Sequence, residues 1–433
     1  MGVIPFITGA AGGGSSSFGG GSFGGGGGFS GGGGGRYYGG SGGGIYVGSG
    51  GGWVVLAIIL IVIAVVLLSV INTWLVTRQM RRRLDERDAQ VRRAAAQAAE
   101  DDAAFALERV VADTGVMFHA IQGAWDARDQ SALERLVGPD LMVEWRRRLT
   151  DFDRRGWHNR VRVISGPAIR YVGLTNREDD AEDRVVVNVE ASLEDYVESG
   201  GRRVMRSGTT ASVVELREYW TLAKREGRWI LTSIEQNVEG AHNLSAPLVP
   251  SPWADERVRD EAVLEGAAAG APIGGMTTSD LISVSLAEDA SAQALDLSLA
   301  DARFAPDVLS VAARRAAEAW AEAVDGDDAP LNAVATPAAV AALLYGGDAE
   351  RRTRLVVRGP RIEQVTVELL LPTPEPARML VGVRVRGRRY IEDRDTAAVV
   401  SGSRDAETTF TERWMMALDG PETMPWRLTG VGA

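Results

Sequence analysis

Between residues 160 and 238 apolar positions recur at every second residue. In RVVVNVEASLEDYV, Val185, Val187, Val189, Ala191 and Leu193 take one face, and Asn188, Glu190, Ser192 and Glu194 take the other. That alternation predicts a half-buried antiparallel strand. Upstream, RVRVISGPAIRYVGL (Arg160 to Leu174) predicts a long strand bent or bulged at Gly166-Pro167. Downstream, Gly200-Gly201 predicts a hairpin, followed by two strands ending at Trp220 and near Val238. Ahead of the strands the period is helical. From Arg81 to Ala127 the chain is first charged and alanine-rich, then amphipathic, with Phe105, Val110, Val111, Phe118, Ile121 and Trp125 near helical spacing. A short helix over Ser131 to Val137 and another from Pro139 to about Asp153 complete the series. Helices followed by four antiparallel strands make an α+β domain.

The pattern then returns. Trp125 finds Trp320, Gly166-Pro167 finds Gly359-Pro360, Tyr196 finds Tyr390, Trp220 finds Trp414 and Trp229 finds Trp426, at spacings of 195, 193, 194, 194 and 197 residues. Val187, Val189 and Ala191 correspond to Val381, Val383 and Val385 in the same phase. Landmarks that keep order and spacing predict a tandem duplication, each copy a helical cap on a curved sheet. The expected domains are residues 105–239 and a divergent copy at 306–433. The intervening 240–305 carries Pro247, Pro250 and Pro252, and its alternating runs LISVSL and ALDLSL suggest a hairpin.

Residues 1–52 are rich in glycine and predict a disordered arm, since such a tract buries too little apolar area to offset its backbone entropy. Trp53 to Val76 contains no charge. As a helix it is long enough for the ~30 Å hydrocarbon layer, and Trp53 and Trp74 sit where interfacial aromatics belong. Residues 53–77 are thus expected to be a transmembrane helix. Arg78, Arg81, Arg82 and Arg83 follow it directly, which predicts cytoplasmic soluble domains and offers cations to anionic headgroups. Residues 78–104 then read as a charged helical stalk.

Composition narrows the chemistry. With 47 basic and 58 acidic residues the chain shows no basic face for nucleic acid. It has no cysteine, which excludes disulfides and thiolate sites, and Lys224 is its one lysine. The arginine, alanine and glycine bias suggests a GC-rich bacterium, and with the span a place in the bacterial plasma membrane.

AIQGAWDARDQSALERLVGPDLMVEWRRRL, then VNVEASLEDYV, then EYWTLAKREGRWILTSIEQ, resemble the Tim-forty-four domain family, over about Phe105 to Val238. The second copy shows the likeness in outline, with Arg389 where Asp195 stands. The resemblance implies the nuclear-transport-factor-two-like fold, a cone-shaped half-barrel with helices over its concave face, and a membrane-tethered binding module or adaptor.

That superfold also hosts enzymes, so a site has to be sought in side chains. Glu218 shares strand parity with Leu216 and Trp220, and Glu412 repeats it beside Trp414. An inward carboxylate would be desolvated and its pKa raised. The bland alternative is a paired rim glutamate. Trp220, Trp229, Trp414 and Trp426 are most simply core anchors, with lining of a pocket for an acyl chain or apolar peptide as the alternative for some of them. His119 and its counterpart Arg314 are expected to face solvent or a helix flank, His158 and His242 have no partner at metal-ligand spacing, and Asp195 and Tyr196 fall on opposite faces. No metal, cofactor or catalytic constellation emerges. The reading is a non-enzymatic membrane-anchored adaptor, linked to protein translocation, envelope assembly or lipid binding, with membrane lipid and an inner-membrane protein as partners. The alternative is an enzyme or a small-molecule or lipid carrier using the cup and its inward glutamate.

Overall fold

The computed structural model describes residues 82, 85–204, 213–236, 238–254, 284–373, 375–421 and 423–432. The first half begins with helix α1 (85–101), a 3-10 turn at Ala103–Phe105, and helices α2 (Leu107–Ala127), α3 (Gln130–Leu136) and α4 (Pro139–Arg155). Strands β1 (Trp157–Thr175), β2 (Arg184–Ser199), β3 (Arg202–Val204), β4 (Val213–Arg225) and β5 (Arg228–Gln236) follow. They form an antiparallel sheet in the order β1-β2-β4-β5, with β3 on β2. Gly200 and Gly201, both at positive φ, make the β2–β3 turn, as a two-residue hairpin with its reversed twist requires. β4 runs past Trp220 to Arg225 before turning at Glu226-Gly227.

The period-two pattern is realised in β2: Val185, Val187, Val189, Ala191 and Leu193 are buried against the helices, and Val187 is register partner to Trp220. The register of β1 slips between Val163 and Ala168, at the Gly166-Pro167 bulge.

The second half repeats the series. After β6 (Val284–Leu286) and α5 (Glu288–Ser298) come α6 (Pro306–Asp325), α7 (Ala329–Val334) and α8 (Pro337–Tyr345). Then follow β7 (Thr353–Leu371), β8 (Arg378–Asp393), β9 (Val399–Gly402), β10 (Thr408–Ala417) and β11 (Arg427–Val431). The sheet order is β11-β10-β8-β7-β6, with β9 on β8, and Val381 is register partner to Trp414 as Val187 is to Trp220. Each half closes its own hydrophobic core. The described residues from Arg87 onward fall within one compact unit.

Three expectations are corrected. Of LISVSL only residues 284–286 are among the described residues, and they do not form a hairpin with ALDLSL: Val284–Leu286 adds to β7 in parallel, while ALDLSL lies mostly within α5. A short run of alternating leucines is compatible with either period, and here the helical one wins by burying Ala290 and Ala294. Nor is the stretch ahead of residue 105 a free stalk. Val91, Ala94, Ala95 and Ala98 of α1 are buried in the first core, and Arg87 donates to the carbonyls of Val172 and Ala246 at 2.7 Å each. Arg314, expected near solvent, is buried, because the flanks of α6 pack against β6 and α5.

The apolar run Trp53 to Val76, the glycine-rich arm and Arg78, Arg81 and Arg83 lie outside the described residues; Arg82 is exposed. Among the described residues no helix is long and apolar enough to cross a membrane.

Candidate functional site

The paired tryptophans are core anchors. Trp220, Trp414 and Trp426 are almost fully buried and Trp229 nearly so. In each half an aspartate caps a 3-10 turn whose phenylalanine meets the last tryptophan edge-on. Asp102 accepts from the Ala104 amide and Phe105 lies 5.3 Å from Trp229, whose indole N–H donates to the Ala104 carbonyl at 3.1 Å. Asp301 accepts from the Arg303 amide and Phe304 lies 5.6 Å from Trp426, whose N–H donates to the Arg303 carbonyl at 2.8 Å. This clamp escaped sequence reading, although DAAFA and DARFA both spell it.

Glu218 does point inward. It is 3% exposed, accepting from the Trp220 indole at 2.9 Å and from Gln236 Nε2 at 3.3 Å. Burial pushes its carboxyl up to about 7, with the two donors pulling the other way. Glu412 differs: it sits half-buried with Arg389 Nη2 at 3.6 Å, and burial raises its pKa against that cation. The residue replacing Asp195 therefore takes the glutamate away from its tryptophan. Among the described residues the buried indole N–H groups of Trp320 and Trp414 have no hydrogen-bond partner, whereas Trp125 donates to Asn159 at 2.7 Å and Asn159 to Asp195 at 2.6 Å.

The densest chemistry lies where the halves meet. Arg394 Nε donates to Glu144 at 2.6 Å, Arg147 Nε to Asp395 at 2.8 Å, and Arg184 Nη2 to Asp327 at 2.5 Å. Arg148 lies 3.5 Å from Glu392 and Arg404 lies 3.8 Å from Glu239. Arg358 reaches Ser233 Oγ at 3.2 Å and pairs with Asp325 at 3.3 Å. His242, on the 3-10 turn Glu239–Leu244, stands between Glu235 on its Nδ1 side, at 3.5 Å, and Asp325 on its Nε2 side, at 3.6 Å. Burial and Asp325 push Glu235 up to about 7. Burial works to lower the His242 pKa, but the two carboxylates outweigh it and raise it. A cavity of about 200 Å³ opens on this seam, with Arg177, Arg184, Ser233, Glu235, Asp325 and Asp327 in its wall; Glu218 lines neither it nor the neighbouring cavity of about 70 Å³ beside Arg358 and Tyr390.

Among the described residues, two clusters have ligand atoms close enough for a metal ion. Glu235, His242 and Asp325 are brought together from distant stretches, so spacing along the chain missed them. Arg358 already places a positive charge beside Asp325, and Nδ1 of His242 is 3.0 Å from the Glu239 carbonyl. The set is a network of close charges. Asp102, Asp180 and Asp183 share the single Lys224 ammonium, 2.9 Å from Asp180 and 3.3 Å from Asp183. His158 donates to or accepts from no cluster of this kind; its Nε2 sits 2.8 Å from the Asp126 carbonyl. Asp195 is buried and Tyr196 half-buried on the opposite face, while His119 is exposed.

A helical layer on this sheet, with an inward glutamate tied to its tryptophan, is the setting for comparison. Residues 91–236 match the Tim44-like domain family. The match spans about a third of the chain, and its start at residue 91 agrees with the burial of α1 in the first core. Among solved structures, the intermembrane space region of the chloroplast protein ARC6 is similar at 10% identity, over 29% of this chain and 95% of that one, with a TM-score of 0.24. An Ntf2 like protein involved in plasmid conjugation is similar at 9% identity, over 71% of this chain and 87% of that one, with a TM-score of 0.16. No curated protein matches the chain. A Tim44-like domain points to a binding or adaptor role.

Proposed function

We propose that the chain is a membrane-anchored adaptor of the bacterial plasma membrane, held by Trp53 to Val76 and presenting a Tim44-like half and its divergent repeat to the cytoplasm, where it engages a protein of a translocation or envelope-assembly system. The Tim44-like match over residues 91–236 carries this reading. Two physical points support it. The cups are filled by tryptophans and valines rather than left open, and both oxygens of Glu218 are already engaged by neighbouring donors. The seam between the halves is wired with ion pairs, which favours a fixed relative orientation suited to a scaffold.

The test is crosslinking from intact membranes with the full chain as bait, beside a chain lacking 53–76. Recovery of a translocation or chaperone component, lost on deletion, is the expected result; lipid alone would sink the adaptor. Protease added to intact cells should leave the folded halves uncut.

One observation favours a second reading, an enzyme or carrier: a carboxyl at about pKa 7 inside an apolar cup suits proton transfer. Under that reading Glu218→Gln abolishes the cellular function, whereas under the adaptor reading it leaves it intact.

A further inference from the structure

The second half docks on the first through one recognisable platform. Tyr390 and Glu392 of β8, with Arg404 just after β9, form it, the guanidinium of Arg404 standing 5.0 Å from the centre of the Tyr390 ring. Tyr390 is 2% exposed. Arg404 is held within its own half by Glu392 and by the Ala397 carbonyl, and still takes a carboxylate from the other half, Glu239 at 3.8 Å. Gly359 beside the platform packs so closely on His242 that an added Cβ would lie 2.8 Å from the ring. The visitor on this face is thus the acidic 3-10 turn Glu239–Leu244.

The first half carries a comparable arginine-on-tyrosine stack, with the arginine coming from a different strand position: Arg203 is register partner to Glu198, where Val399 is register partner to Glu392. Tyr196 and Glu198 stand 194 residues before Tyr390 and Glu392, on the equivalent strand β2. From β3, Arg203 lies 3.7 Å over the Tyr196 ring. Arg203 is likewise held within its half, donating to Glu194 at 2.9 Å, with Arg162 sharing that carboxylate at 2.8 Å. The difference is exposure: the side chains of Arg203 and Arg162 are 39% and 76% exposed and Tyr196 is only half-buried. Gly166, the counterpart of Gly359, is exposed as well.

An arginine stacked on a tyrosine is a preorganised binding site for a carboxylate, since the ring fixes the guanidinium plane while its outer edge can donate. From the occupied face of the second half we infer that the Tyr196–Arg203 face of the first half is a docking site for an acidic turn of a partner protein, whose glutamate meets Arg203 as Glu239 meets Arg404. The turn of a second copy of this chain is ruled out as occupant while its halves stay joined, because its own Glu239–Leu244 is covered by its own second half. The inference deepens the adaptor reading by naming the surface and the chemistry of its partner.

The probe is a labelled synthetic peptide of residues 235–245, EQNVEGAHNLS, titrated onto the full chain in discs of neutral lipid and read by fluorescence polarisation. Binding is expected, weakened on the order of tenfold by Arg203→Glu, by Tyr196→Ala, and by Glu239→Gln in the peptide. Thermal unfolding of both protein variants checks that these surface substitutions leave the fold intact. Absence of binding, or binding indifferent to all three changes, overturns the inference. Displacement of the peptide by vesicles of anionic phosphatidylglycerol would assign the face to the membrane and overturn it too. Failure here, with the membrane crosslinking still recovering a protein through another surface, would leave the adaptor reading standing.

Discussion

His242 Nε2 lies 3.6 Å from a carboxylate oxygen of Asp325, joining a turn of the first half to the end of a helix in the second. Glu235 flanks the ring's other edge, the Glu239 carbonyl and side chain belong to the same turn, and Arg358 of β7 faces Asp325. His242 and Glu235 both titrate above their ordinary values, so the folded chain holds protons that the unfolded chain releases. Glu218 adds to this with the same sign. A group whose pKa is raised by folding contributes stability below its unfolded pKa and loses it as pH rises through the folded one. Stability to urea should therefore fall from pH 5.5 to pH 8.5, most steeply below pH 7, between the unfolded and folded values of the two glutamates, and more gently above it. His242→Gln should flatten part of the slope. Glu218→Gln should flatten another part and raise stability at pH 8.5, by up to about 3 kcal/mol from the shift of its carboxyl. A stability curve that climbs across this window would refute the arrangement.

The contrast between Trp220 and Trp414 makes a sharper test. Both are fully buried at the same register of equivalent strands, but Trp220 donates to Glu218 and the N–H of Trp414 has no partner among the described residues. Substitution by phenylalanine removes similar volume from each, while only Trp220→Phe strips a buried carboxylate of a donor. That loss adds about 1–3 kcal/mol. Trp220→Phe is thus expected to cost more than Trp414→Phe, with the gap widening above pH 7 as Glu218 ionises. Equal costs at pH 8.5 in chemical denaturation would show that the hydrogen bond is not what holds Glu218.

Glu144 tests the seam. It accepts from Arg394 and lies 3.9 Å from Arg354, both of them buried and contributed by the other half. Removing one member of a buried pair leaves its partner's charge uncompensated, a cost of about 3–5 kcal/mol. Glu144→Ala is expected to weaken the joint before either core, so calorimetry should resolve two transitions where the parent shows one. A single unshifted transition would mean that the halves are held by something other than these charges.

These residues also mark the division between what a linear reading reaches and what it misses. The alternation around Val187 and the parity of Glu218 with Trp220 place both on the inner face, because a strand has a period of two and one buried side. Helix α1 was misjudged since its buried face is Ala94, Ala95 and Ala98, too small to stand out among arginines and glutamates. The seam was out of reach for a different reason: Arg394 meets Glu144 across 250 residues and Arg184 meets Asp327 across 143, and no local period links them. The Asp-to-Phe clamp lay in plain view, as two short repeats that hydropathy alone gives no reason to compare.

Lys224 presents the last case. Its ammonium is buried among Asp102, Asp180 and Asp183, and Asp183 is 1% exposed. Burial tends to lower the lysine pKa, but the carboxylates outweigh it and raise it. Burial also raises the pKa of Asp183, which is kept in check by the Arg177 amide and by Lys224 itself. Lys224→Met keeps the length and apolar stem while deleting the charge, so three carboxylates then face one another with no cation between them. The expected cost is about 3–5 kcal/mol near pH 7.5. Because Asp102 also caps the turn that carries Phe105 to Trp229, fluorescence from that indole should change with it. The variant should recover as pH falls toward 5, since protonating Asp183 removes the repulsion, and a divalent cation should restore part of the loss by taking the ammonium's place. If the variant unfolds equally at pH 5 and pH 7.5 and ignores calcium, the lysine serves packing rather than charge.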